Sequence, residues 1–161
     1  MKKASASRKA RSGGAELIEF ALLMVPIFLM TFMILDLSMV IFIRCTFQNA
    51  VRDGVRYAIT GANSTGPGQD DSIKAVVKTD ALGFLNGTTA AATMHVHWID
   101  PVTGAVANNS MGNIVEVSVE AYKYSPLAPY LRLGYPLNVW ARAYDVMQYV
   151  PGTLPSITKV E

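Results

Sequence analysis

Residues 20–35 read FALLMVPIFLMTFMIL, sixteen positions in which Thr31 is the only polar side chain. After Asp36, Leu37 and Ser38 the apolar character resumes through Met39, Val40, Ile41, Phe42 and Ile43. From Phe20 to Ile43 a helix rises roughly 36 Å, against a bilayer hydrocarbon core about 30 Å thick. One tilted helix therefore spans it. A cleaved secretory signal has an apolar core of about 7–15 residues and then a small-x-small cleavage site. This run is longer and leaves through Arg44-Cys45-Thr46-Phe47, which offers no such site. The reading is a retained transmembrane helix over residues 15–43.

Charge sets the expected orientation. Lys2, Lys3, Arg8, Lys9 and Arg11 precede the apolar run, and residues 1–14 contain no acid. The rest of the chain holds the other nine of its fourteen Lys and Arg and all twelve Asp and Glu, so it is net acidic. A basic face for nucleic acid is excluded. The basic leader instead predicts a cytoplasmic N-terminus and a C-terminal part that crosses the membrane. Cys45 is the single cysteine, so no intramolecular disulfide is available, and it is read as an ordinary helix residue near the membrane face.

Two acids sit where a membrane helix disfavours them. Asp36 falls inside the apolar run, where an unpaired carboxylate costs about 3 kcal/mol on insertion scales. It is expected within two turns of the outer interface, reaching toward Arg44, with an inter-subunit contact as the alternative. Glu19 opens the run, directly after Gly13-Gly14-Ala15-Glu16-Leu17-Ile18. A cut after Gly14 would give Ala15 a free α-amine four residues before Glu19, about 6 Å along a helix. That amine could neutralise the carboxylate within or between subunits. Pro26 removes one helical hydrogen bond and is expected to kink the segment, which membrane helices accept.

The stretch Gly14-Ala15-Glu16-Leu17-Ile18-Glu19-Phe20 resembles the prepilin cleavage motif of type IV pilins, with glycine before the cut and glutamate fifth after it. The longer stretch resembles the TadE-like minor pilins, or pseudopilins, of the tight-adherence (Flp) pilus system. Three pieces carry this: Glu19-Phe20-Ala21-Leu22 with Pro26 following, the late acid Asp36, and the run from Gln48 to Ala58 ending Gly54-Val55-Arg56-Tyr57-Ala58. Glu16 departs from the pattern, as a second acid where a neutral residue is expected. The resemblance implies cleavage between Gly14 and Ala15 by a prepilin peptidase and assembly roles for Glu19, Phe20 and Asp36. The implied partners are the lipid bilayer, other pilin subunits and the inner-membrane platform of the pilus. An uncleaved single-span envelope scaffold of a secretion machine is the other reading these residues leave open.

Past Ile43 the helical period continues. Phe47, Ala50, Val51, Gly54, Val55, Ala58 and Ile59 share one face, while Arg44, Gln48, Arg52 and Arg56 line another. The helix is expected to stop at Thr60-Gly61, before a turn-rich loop through Gly66-Pro67-Gly68. Asp70 or Asp71 is expected to cap a second helix over about Ser72–Leu85, with Ile73, Val76, Val77, Leu82 and Leu85 inward and Gly87 as the stop. Three strands follow at Thr93–Ile99, Ile114–Tyr124 and Leu137–Met147. Val115, Val117, Val119 and Ala121 should share one face of the second strand, and Leu137, Val139, Ala141 and Ala143 one face of the third. A proline-rich loop at 125–136 separates these last two strands. The fold class is α+β: a long N-terminal helix, its inner half transmembrane, packed on a small antiparallel sheet in a pilin-like head spanning residues 44–161.

Nothing in the chain reads as catalysis, and no cofactor is expected. His95 and His97 share a strand face, a zinc half-site at best, with no further His or suitable Cys to complete it. Glu116, Glu120 and Lys123 read as a solvated strand edge. Asn63, Asn86 and Asn108 each open an N-x-S/T triplet, read as chance composition. A phosphate-binding glycine loop, a nucleophile elbow and a paired-carboxylate site are all missing.

Overall fold

The computed structural model describes residues 13–64, 68–87, 93–127, 137–148 and 154–158. The leader at 1–12 and the loop residues 65–67 and 128–136 lie outside the described residues. Two helices, α1 (Gly13–Ile59) and α2 (Gln69–Asp80), precede three strands, β1 (Met94–Ile99), β2 (Ile114–Tyr124) and β3 (Leu137–Val146). The strands form one antiparallel sheet in the order β1-β2-β3. The architecture is the expected long helix against a small antiparallel sheet.

At 47 residues, α1 is roughly 70 Å long. Its outer half carries the expected stripe: Phe47, Ala50, Val51, Gly54, Val55 and Ala58 are buried, and Ile59 is half-buried. Gly61, with φ +66, then turns the chain out of the helix, its N–H bonded to the Ala58 carbonyl. The stripe packs between α2 and the inner sheet face, where Met94, Val96, Trp98, Val115, Val117, Val119, Val139 and Ala141 point inward. Phe47 lies at the centre, edge-on to Tyr122 at 5.0 Å and to Phe84 at 6.3 Å. Each such pair contributes about 0.5–1.5 kcal/mol beyond the area it buries.

The second helix differs from expectation at both ends. It starts at Gln69 with Gly68 as N-cap and no side-chain cap, because Asp70 and Asp71 are committed elsewhere. Asp70 accepts a hydrogen bond from the Thr158 backbone N–H at 2.7 Å, and Asp71 accepts one from the Thr158 hydroxyl at 2.9 Å. Gln69, wholly buried, donates to the Ala58 carbonyl and accepts from Asn109, which also donates to the Pro155 carbonyl. This polar plug joins the end of α1, the start of α2, the β1–β2 connection and the C-terminal segment. The helix ends at Asp80, and the following turn holds Leu82 at φ +51 and Gly83 at φ +85. Leu82 is therefore exposed, where the helical periodicity had placed it inward.

Strand β2 departs from simple alternation in one place, with consequences for the whole head. Its pairing with β3 slips between Val119 and Tyr122, and Ala121 sits at φ +55, a left-handed conformation unusual for a residue with a Cβ. This is a bulge, and a bulge reverses which side chains face the core. Val115, Val117 and Val119 point inward above it; Tyr122 and Tyr124 turn toward α1 below it. Ala121, expected inward, is exposed. Leu137, opposite Tyr124 at the strand end, is 40% exposed rather than core.

Candidate functional site: the membrane helix and its junction with the head

From Gly14 to Leu35 every side chain of α1 is exposed except Met24, which is half-exposed. Those residues are the apolar half, so this surface is one that water does not favour. The helix is long and apolar enough to cross a membrane. From Ala15 to Leu35 it covers about 31 Å, matching a hydrocarbon core of about 30 Å. The helix continues through Pro26, whose missing N–H leaves the Leu22 carbonyl without its helical partner.

At the N-terminal end, Gly14, Ala15, Glu19 and Phe20 all lie on the first two turns of α1 and all are exposed. Among the described residues, no heavy atom outside the local helix comes within 4 Å of the position a Cβ on Gly14 would take. The Gly14–Ala15 bond thus stands in open space. Glu19 lies one turn beyond Ala15, and among the described residues no hydrogen bond or ion pair engages it.

Asp36 is the other end of the exposed span, and here the structure departs from the expected contact with Arg44. Asp36 is only 2% exposed. Its Oδ1 accepts hydrogen bonds from the Tyr124 hydroxyl at 3.0 Å and the Leu127 backbone N–H at 2.8 Å. Burial and then the bond to Asp36 hold the Tyr124 phenol above its ordinary pKa. Arg44 instead lays its guanidinium 5.2 Å from the centre of the Trp140 ring. The physical reason is reach. Arg44 lies two turns above Asp36, about 12 Å along the axis, whereas the bulged end of β2 arrives at Asp36 itself. The head therefore begins to grip α1 at Asp36, below the boundary drawn after Ile43 from hydropathy alone.

Higher on the helix, Gln48 Nε2 donates to the Arg142 carbonyl of β3 at 3.0 Å. Gly54 lies tight against α2, since a Cβ there would stand 2.6 Å from Val77 Cγ2. Arg56 pairs with Asp53 at 3.9 Å on an exposed surface. On the outer sheet face Arg142 joins Glu116 at 3.3 Å and Glu120 at 3.1 Å. Burial opposes ionisation of Glu120, but its bonds to Arg142 and Ser118 and the nearby positive charge outweigh that and lower its pKa. His95 and His97 stack on this face with ring centres 5.9 Å apart. Among the described residues no three His, Cys, Asp or Glu side chains converge as a metal site would require.

The sequence reading missed Tyr124, Leu127 and the role of the bulge. A signal was present: the apolar alternation in β2 runs on odd positions through Val119 and on even positions from Tyr122. That change of phase is the mark of one inserted residue.

Among the described residues, one helix is long and apolar enough to be a membrane span, and it bears a small α+β head. Residues 14–56 match the family model described as TadE-like protein, about a quarter of the chain and nearly all of α1. The match runs from the Gly14–Ala15 junction through Asp36 to Gly54 and Arg56, in agreement with the resemblance read from those residues. No curated protein and no solved structure matches the chain.

Proposed function

We propose that this protein is a minor pilin or pseudopilin of a tight-adherence (Flp) pilus system, processed between Gly14 and Ala15. It acts as a structural subunit in pilus assembly, not as an enzyme. The observation that carries the reading is the TadE-like match along α1, which begins at the exposed Gly14–Ala15 junction. In this reading residues 1–14 stay in the cytoplasm, α1 crosses the inner membrane, and the head lies in the periplasm. Glu19, unpaired among the described residues and at the start of the membrane span, is neutralised by the new α-amine of Ala15 on its own or a neighbouring subunit. Phe20 and the rest of the exposed helix pack against the helices of other subunits and the inner-membrane platform.

N-terminal sequencing of the membrane-purified protein tests this. Processing gives Ala15 as the mature N-terminus and a loss of about 1.5 kDa at average residue mass. Residues 1–14 found intact in cells that assemble pili would refute it and favour an uncleaved envelope scaffold.

A further inference from the structure

The end of the head nearest the membrane carries a chemistry that the pilin reading does not use. Leu127, whose backbone N–H is fixed on Asp36, leaves its side chain 65% exposed. Leu137, paired with Tyr124, is 40% exposed. Beside them stand Trp140, 58% exposed beneath the Arg44 guanidinium, and exposed Lys123, which pairs with Asn138 of β3. The nearest carboxylates are already engaged: Asp36 by Tyr124 and Leu127, Glu120 by Arg142. This rim is thus apolar at its lower edge, amphipathic and cationic just above it, and lacks a free acid among the residues that form it.

We propose that this rim is a lipid-binding surface, seated in the headgroup layer of an anionic bilayer. The inference rests on α1 spanning the membrane and is independent of cleavage and of pilus assembly. Two observations select lipid as the occupant. The first is continuity: the exposed apolar span from Ala15 to Leu35 fills the hydrocarbon core, which sets Asp36 at its outer boundary. Leu127 and Leu137, held at Asp36 by hydrogen bonding and strand pairing, then lie where acyl chains meet headgroups. The second is charge: Arg44 and Lys123 sit within about two helical turns above that boundary, where long basic side chains reach lipid phosphates. Helical side chains lean toward the helix N-terminus, which carries the Arg44 guanidinium, 5.2 Å from the Trp140 ring, toward the membrane. Tryptophan is enriched in this layer because its ring is apolar and its N–H is polar.

The two tryptophans make the test direct, because Trp98 is wholly buried and Trp140 is exposed. The full chain is placed in lipid nanodiscs of phosphatidylcholine, with or without phosphatidylglycerol, and its resistance to alkaline extraction from membranes confirms anchoring separately. Lipids carry a nitroxide either at the headgroup or deep in the acyl chain, and the Trp140→Phe variant isolates the Trp140 signal. The expected result is at least twofold stronger quenching of Trp140 by the shallow nitroxide than by the deep one. Phosphatidylglycerol should deepen that quenching, and an R44E/K123E variant should lose this dependence. Trp140 equally open to aqueous iodide in detergent and in nanodiscs would overturn the proposal. Protection from iodide without nitroxide quenching would overturn it too, assigning the rim to a second copy of the chain.

Discussion

Replacing Gly54 with alanine sets two effects of opposite sign against each other. In an open helix interior the change stabilises by about 0.5–1 kcal/mol, because glycine loses more backbone freedom on folding. At position 54 the new Cβ would lie 3.5 Å from Ile73 Cγ2 and 3.6 Å from Val117 Cγ1, both ordinary contacts. Its distance to Val77 Cγ2 would be 2.6 Å, roughly 1 Å inside the optimal carbon–carbon separation of about 3.5–4.0 Å. Val77 cannot turn away, since a β-branched side chain has one strongly preferred rotamer in a helix. The helices must separate, and such overpacking costs about 1–3 kcal/mol. Gly54→Ala should therefore destabilise the head by a net of about 0.5–2 kcal/mol. Val77→Ala, which removes the opposing methyls, should be less than additive with it by at least about 1 kcal/mol. Melts of the full chain in detergent, followed by near-ultraviolet circular dichroism, give all four corners of this cycle. A higher melting temperature for Gly54→Ala alone would show that α1 and α2 do not meet at this point.

Three other outcomes follow from the same geometry. Tyr124→Phe removes a donor from the buried Asp36 and should cost about 1–2 kcal/mol, the lower part of the range of about 1–3 kcal/mol for depriving a buried acceptor of a partner, because Tyr124 is half-buried. Its raised pKa means that this stabilisation is present below the ordinary value of 10.0 and lost as pH rises through the folded-state value. A pH titration of the melt should show that alkaline loss in the wild type and not in the variant, and identical profiles would dismiss the contact. Glu19→Ala should leave membrane insertion intact, since it makes the segment more apolar, while reducing incorporation into assembly complexes. Normal incorporation in a pull-down would remove Glu19 from the assembly role. Deleting residues 1–43 should leave a folded head of lowered stability, without Ile43 and the Asp36 contact, whereas deleting to residue 61 strips the helix stripe and should cause aggregation. Equal melts for the two truncations would mean that α1 does not form part of the core.

Much of this architecture was legible because its signals are local. Sixteen nearly unbroken apolar residues announce a helix apolar enough to span a membrane, and the 3.6-residue stripe from Phe47 to Ile59 announces a buried outer half. Strand β2 could be bounded to the residue from its β-branched alternation and the polar turns around it. What escaped depends on partners distant in sequence. Asp70 and Asp71 are sound cap residues, and only the arrival of Thr158 diverts them into the first helical turn. Leu82 fits the helical period, but its helix stops at Asp80 and a left-handed turn sends it outward. The partner of Asp36 lies 88 residues away and comes within reach only because the strand has slipped by one position. The junction at Gly14 and Ala15 was readable as a motif, while its accessibility is a property of the folded helix.

The grip that begins at Asp36 and ends near Ala58 also makes the head a splint. Along this stretch, about 33 Å of helix, α1 is braced by a sheet on one side and a second helix on another. Below it the helix stands bare, and Pro26 supplies the one place where the backbone ladder is already missing a rung. Bending is thus expected in the exposed lower half, with the upper half acting as a rigid lever. A tilt of about 10° pivoting at Asp36 would carry the far end of that lever sideways by about 6 Å over its length. If α1 is anchored in a bilayer as proposed, small rotations of the anchor would in this way be converted into displacements of the head of several ångströms.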